Sequence, residues 1–312
     1  MTAVDASAEP AALAVRPAER GYWGEAWLHL RRDPAGMFGL VAVVTLLVCA
    51  IFAPLIAPHD PLYQNAYGLT TNGSPLDPNR TFLLGTDPLG RDELSRLLYG
   101  ARVSLTVGVG ANLVAAAVGI VFGGLAGLVG GAVETVLMRA VDVLLGFPIL
   151  LLAIVFLAVT PPSILTIMLI VGISFGAYLA RIIYAQVISL REREFVLAAR
   201  TGGVRTPSIL ARHILPHILP SVLVFCTLGV ATAVLLEAAL SYVGIGIKPP
   251  TPSWGNMISD GQTYLFSKPL LVALPCGAIV LAMIGFSLLG DGLRDALDPT
   301  LERRARLITG IR

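Results

Sequence analysis

The sequence predicts an all-α integral membrane protein with six transmembrane helices, and three observations carry that expectation. Only 13% of the 312 residues are charged, while 55% are hydrophobic. A soluble domain carries about a quarter charged residues, and a chain of this size cannot hide so much apolar surface from water. The apolar residues gather in charge-free runs, each of about 20 residues or more, the length a helix needs to cross a bilayer core. These runs lack the period-two alternation of barrel strands. A soluble enzyme is thereby excluded. The formal charge of +2 is too small for a nucleic-acid partner. Cys49, Cys226 and Cys276 sit singly in apolar stretches with no CxxC spacing, so they read as small buried hydrophobes rather than as a zinc site or a disulfide framework.

The elements follow in order. Residues 1–36 form a polar tail that lacks the pattern of a secretory signal. Its first 17 residues, rich in Ala, Pro and acidic side chains, read as disordered. Trp23 and Trp27 lie four apart on a short amphipathic segment, the pattern of an interfacial anchor. Met37–Pro58 is the first span, and residues 37–102 combine it with a turn-rich polar segment over 58–102. The core runs over 103–294. Val103–Val133 is its first long run. Val143–Ala180 carries no charge, and Thr160-Pro161-Pro162-Ser163 splits it into a third and a fourth span, since proline lacks a donor and restricts its predecessor. Ile214–Leu236 supplies the fifth, expected to start after Pro220, and Pro269–Gly290 the sixth. Residues 295–312 form a second polar tail. With the N-terminus placed in the cytoplasm, sixteen of the 22 Lys and Arg residues fall inside. Only Arg80, Arg91, Arg96, Arg102, Lys248 and Lys268 fall outside, so the positive-inside rule puts both termini in the cytoplasm.

Several groups of residues are candidates for function. Gly119, Gly123, Gly127 and Gly131 recur every fourth residue and predict a bare helical ridge for close helix packing; Gly172, Gly176 and Ala180 repeat the device in the fourth span. The inner segment 191–216 reads as a polar helix, a Gly202-Gly203 break and a second short helix, with Thr206 as N-cap and Pro207 at the first helical position. Such an elbow between two spans suits transmission of a push; a positively charged loop that only fixes topology is the alternative. Glu237 lies in an otherwise apolar span, where an acidic residue marks a pathway, a gate or a structural hydrogen bond to the outer loop. Arg139 and Asp142 are spaced to pair along one helix face. Asp87, Arg91 and Asp92 form either a polar cluster at the outer mouth or a turn with a helix cap. The sequence carries no GxxxxGK[ST] phosphate loop, and His213 and His217, four apart, have no carboxylate between them as in HExxH.

Ala198-Ala199-x-x-x-Gly203 followed by Ile214-Leu215-Pro216 resembles the EAA loop of bacterial ABC-importer permeases. Gly85-Thr-Asp-Pro-Leu-Gly-Arg-Asp92 looks like the GTDxxGRD segment of the oligopeptide/dipeptide branch of that family. So do Glu237-Ala-Ala-Leu-Ser-Tyr-Val-Gly-Ile-Gly246 and Pro249-Pro-Thr-Pro-Ser-Trp-Gly255. Ala53-Pro54 and Asp60-Pro61 resemble words of its C-type permease. Leu197 stands where the loop's name-giving glutamate would be, and His213 replaces the expected isoleucine. The resemblance implies a type I ABC-importer permease fold and alternating access for di- or oligopeptides. It implies a heterodimer with a related permease, two cytoplasmic ATPase subunits and an extracytoplasmic binding protein, in a bacterial plasma (inner) membrane. ATP and Mg would be held by the ATPases, with no cofactor or metal on this chain. Glu194, Ala198, Ala199, Arg200 and Gly203 would form the ATPase-coupling site. Importers of nickel, glutathione or other small solutes share these motifs. A gradient-driven secondary transporter would call for an inverted repeat and several mid-membrane ionisable groups. A structural scaffold would leave the elbow without a purpose.

Overall fold

The computed structural model describes residues 22–297, and the sequence expectations for residues 1–17 and for the tail beyond 297 lie outside that range. Among the described residues the chain is built from helices, with two isolated β-bridges and no strand. Helix α1 (Tyr22–Arg32) seats Ala26 and Leu30 against the bundle and leaves Trp27 half exposed. Asp33 then caps α2 (Pro34–Ile51), its carboxylate accepting from the Ala35 and Gly36 amides at 3.0 and 2.8 Å. These bonds satisfy two of the otherwise orphaned first-turn donors. A short helix α3 (Ala53–Ile56) leads into the turn-rich segment before the second long helix.

That helix, α4 (Glu93–Val129), has 37 residues and begins ten residues ahead of the expected Val103. The expectation stopped at charges; in the fold Arg96 is neutralised by carboxylates and stays inside. Gly130 ends α4 at φ 78°, a left-handed conformation open to glycine and strained for other residues. The chain turns there into α5 (Gly131–Leu145), which meets α6 (Ile149–Val159) at a 90° bend. In place of one helix from Val143 the chain has a bent pair over 131–159, the geometry of a broken span or a re-entrant loop. Pro148 explains the break, since it offers no N–H and keeps Phe147 out of helical geometry. Ser163 caps α7 (Ile164–Arg191) by accepting from the Thr166 amide at 3.1 Å, so the chain does separate α6 from α7 at residues 160–163.

Two short helices, α8 (Glu194–Thr201) and α9 (Thr206–Ile209), make the elbow. Arg205, not Thr206, occupies the N-cap position of α9, and Thr206 is its first helical residue. A π turn over Leu210–Ile214 leads into α10 (Leu215–Tyr242). Pro220 lies inside α10 and does not start it; an internal proline forfeits one hydrogen bond and kinks a helix. Helices α11 (Trp254–Gly261) and α12 (Leu270–Leu297) complete the chain. Among the described residues five helices are long and apolar enough to cross a membrane, and the bent α5–α6 pair makes a sixth crossing if it is one span. One end of the bundle carries α8 and α9. The opposite end carries α11 and the segment between α3 and α4.

The α4–α7 contact is built on missing side chains. A Cβ added at Gly119 would meet Leu179, one at Gly123 would stand 2.3 Å from the Ala180 carbonyl oxygen, and one at Gly127 would meet Val187. From the other side, Gly172 and Gly176 of α7 face Val114 and Val118 of α4. Lipid is as apolar as leucine, so membrane helices associate through such close backbone contact. Gly131 departs from the expected ridge. It follows the Gly130 turn, sits at φ 59°, and a Cβ there would meet nothing within 4 Å.

Candidate functional site

The elbow is amphipathic in a specific way. Val196 of α8 is fully buried, packed with Leu128, Val187, Ile209 and Ile214, and Ala199 lies against the same cluster. Glu194, Phe195, Leu197 and Ala198 are exposed. One face of α8 is thus seated on the bundle, while Leu197 and Ala198 leave a low apolar surface uncovered. Phe195 stacks on His217 with ring centroids 5.0 Å apart, beside a groove of about 800 Å³ that Glu192 and Arg193 also line. Gly203 adopts φ 75° between α8 and α9, and its amide bonds to the Arg200 carbonyl at 3.0 Å. A glycine is needed at this position because the turn between the two helices is left-handed.

Charged side chains tie the elbow to its neighbours. Arg200 Nη2 donates to the Leu128 carbonyl at 2.7 Å, and Arg191 Nη1 donates to the Gly127 carbonyl at 3.1 Å. The Tyr184 hydroxyl donates to Glu134 Oε1. Asp142 pairs closely with Arg181 of α7, whereas Arg139 stands 4.0 Å away. The expected intrahelical pair is present at the limit of ion-pair distance, and Asp142 is shared with a closer contact across helices that sequence spacing cannot reveal.

Glu237 is fully buried. Ser104 Oγ of α4 donates to its Oε2 and Ser241 Oγ to its Oε1, both at 2.7 Å. The Ile247 amide donates to Ser241 Oγ at 3.1 Å, and the Trp254 amide reaches Ser104 Oγ at 3.4 Å. The carboxyl group therefore stitches α4 and α10 to the connection before α11. Glu237→Gln keeps the shape and one acceptor, so folded yield in membranes is expected to stay near wild type. Glu237→Ala strands the serines and opens a cavity, which costs about 3 kcal/mol. Detergent-extracted yield and thermal unfolding of the two variants check this; equal loss in both would contradict it.

The α11 end holds a second buried network. Asp87 Oδ2 receives Arg91 Nε at 2.6 Å and stands 3.2 Å from Arg96 Nε. Arg91 and Arg96 both reach Asp260 of α11, at 3.5 and 3.3 Å. Asp92 caps α4 by accepting from the Ser95 amide at 2.9 Å, and His59 Nδ1 stands 3.6 Å from the same carboxylate. Burial raises the Asp260 pKa above the usual carboxylate range, while Arg96 and Arg91 oppose that shift. Asp87, Arg91 and Asp92 are thus a cluster and a cap together. Arg96, Asp260 and Ser104 escaped the sequence reading, since their partners lie far along the chain.

The sequence matches the profile of the family described as binding-protein-dependent transport system inner membrane component over residues 119–303. The chain belongs to this family. Residues 21–75 match a second profile, the N-terminal TM domain of oligopeptide transport permease C. The permease is 38% identical over 301 residues to the oligopeptide transport system permease protein OppC of Bacillus subtilis (strain 168), covering 95% of this chain and 97% of that protein. It is 38% identical over 283 residues to the di/tripeptide transport system permease protein DppC of Pseudomonas aeruginosa (strain UCBPP-PA14), covering 90% and 93%. A glutathione transport system permease protein, GsiD of Escherichia coli O6:K15:H31 (strain 536 / UPEC), is 39% identical over 280 residues, covering 90% and 91%. The permease is a multi-pass membrane protein with the type I fold of bacterial ABC permeases, and the helix order described above is its frame.

Proposed function

We propose that this permease is one half of a heterodimeric permease pair that imports di- or oligopeptides, driven by two separate cytoplasmic ATPase subunits and fed by an extracytoplasmic binding protein. The observation that carries the mechanism is α8: seated on the bundle by Val196, it offers Glu194, Leu197 and Ala198 to a partner beyond a Gly203 turn. The sixteen-to-six distribution of Lys and Arg supports placing the α8 end, and both termini, in the cytoplasm. The ATPases would hold ATP and Mg, and this chain would supply the docking elbow. The path would run between the two permeases, because a zwitterionic peptide needs a water-filled route through the hydrocarbon. Relatives named for oligopeptide and di/tripeptide transport support the substrate class. The relative named for glutathione, itself a modified tripeptide, marks the edge of that class. Glu237 would act by holding the outer loop rather than by touching cargo.

Purification of the tagged chain from its native membranes tests this reading. An ATPase should copurify, and ATP hydrolysis should rise when peptide-loaded binding protein is added. Absence of any ATPase from an intact assembly would contradict it. Gly203→Val gives a sharper test. A Cβ there meets nothing within 4 Å, so the substitution introduces strain without a clash, about 1–2 kcal/mol against the left-handed turn. The complex should assemble and hold its ATPase, while peptide uptake per ATP falls. Wild-type uptake by this variant would count against the elbow.

A further inference from the structure

We infer that Arg191 and Arg200 form a two-arginine clasp on the last turn of α4, which makes them positioning residues through which the elbow moves that helix. This inference rests on the reading of α8 as the ATPase-docking element. The last carbonyls of a helix have no partner within it and carry the negative end of its dipole. In α4 the Ala126 carbonyl is satisfied by the Gly130 amide. The next two, at Gly127 and Leu128, are taken by Arg191 and Arg200. The two donors come from opposite sides of the start of the elbow: Arg191 is the last residue of α7, and Arg200 lies near the end of α8. Arg200 donates to a carbonyl rather than to a carboxylate, and the nearest acid to Arg191 is its neighbour Glu192 at 3.9 Å.

What the clasp holds is a rod. Helix α4 has 37 residues, about 55 Å at ~1.5 Å per residue. Its far part is fixed to α11 by Arg96 and Asp260, and to α10 by Ser104 and Glu237. A displacement of α8 that draws on Leu128 is therefore delivered to the connection around Trp254, at the opposite end of the molecule. Val196 lies in the same buried apolar cluster as Leu128, together with Val187, Ile209 and Ile214, so the seat of α8 and the end of α4 share one packed core. Arg200, although exposed like Leu197 and Ala198, thus reaches with its guanidinium toward α4.

The test uses the intact importer in proteoliposomes, with Arg200→Gln, Arg200→Lys and Arg191→Gln. The readouts are peptide transported per ATP hydrolysed, ATPase stoichiometry and thermal unfolding of the assembly. Each glutamine variant should keep its ATPase and wild-type unfolding behaviour, while transport per ATP falls about tenfold, in the usual range of coupling free energies. Arg200→Lys, which keeps a cationic donor, should recover most of that ratio. Unchanged ratios in both glutamine variants would overturn the clasp. So would loss of the ATPase from Arg200→Gln, since Arg200 would then act at the partner surface. If Arg200→Gln does not accumulate, the Arg191→Gln ratio alone decides. A wild-type chain that holds no ATPase would instead defeat the docking reading beneath it, and the clasp with it.

Discussion

Replacing Gly123 with valine is expected to abolish recovery of folded permease from membranes. A Cβ at this position would stand 2.3 Å from the Ala180 carbonyl oxygen and 3.0 Å from its Cα, where ordinary contact needs about 3.5 Å. The obstruction is backbone, so no rotamer change relieves it. Helices α4 and α7 would have to separate by roughly 1 Å along their principal contact, which forfeits the close packing that holds them together. Overpacking of a fixed contact costs about 3 kcal/mol or more, a large share of the stability of an ordinary domain. Gly277→Ala is the matched control: it lies inside α12, where an added Cβ meets nothing within 4 Å, and alanine favours the helix. Size-exclusion profiles after mild extraction should show a monodisperse control and an aggregated or absent Gly123→Val. A monodisperse Gly123→Val of wild-type yield would show that α4 and α7 are not packed as described.

Arg96→Ala is expected to be nearly as severe. Its side chain is almost fully buried between Asp87 and Asp260, one turn along α4 from Glu93. Breaking a buried pair by removing one partner costs about 3–5 kcal/mol, because the surviving charges lose compensation while staying buried. Here two carboxylates are left with Arg91 alone. The loss should concentrate at the α11 end, where these residues join α4 to the segment before it. Limited proteolysis of that segment should accelerate, and the unfolding midpoint should fall by several degrees. Arg96→Lys keeps the charge but loses the fork that reaches both Asp87 and Asp260, so an intermediate effect is expected. An Arg96→Ala variant with unchanged unfolding would mean that the network is solvated rather than buried.

Much of this architecture was legible in the sequence for a simple physical reason. Lipid tolerates few charges, so charge-free runs located most of the crossings, and Thr160-Pro161-Pro162-Ser163 marked the turn between α6 and α7. Two of the misreadings share one cause: compensation through space. The second charge-free run starts at Val103, after Arg102, and the helix ahead of it escapes the sequence reading because Arg96 finds its partner Asp260 164 residues away. Residues 134–142 fall between two charge-free runs, since the partners of Glu134 and Asp142, Tyr184 and Arg181, lie on another helix. Pro148 was hidden inside an apolar run whose composition gave no sign of a bend. The ridge reading extended to Gly131 because period four continues in the sequence, although the helix stops at Gly130. The elbow was visible as a motif, but its orientation was not; nothing in spacing alone tells that Val196 is seated inward while Ala198 looks out. Nor does it show that Arg200 reaches back to α4.

Site-specific photocrosslinking in the intact assembly tests the central claim most directly. A benzophenone side chain at Ala198 should crosslink to an ATPase subunit. The same probe at Tyr67, exposed at the opposite end of the bundle, should reach an extracytoplasmic protein and never the ATPase. Capture of the ATPase from Tyr67, or an Ala198 probe that labels only lipid while the ATPase is bound, would contradict a mechanism driven through α8.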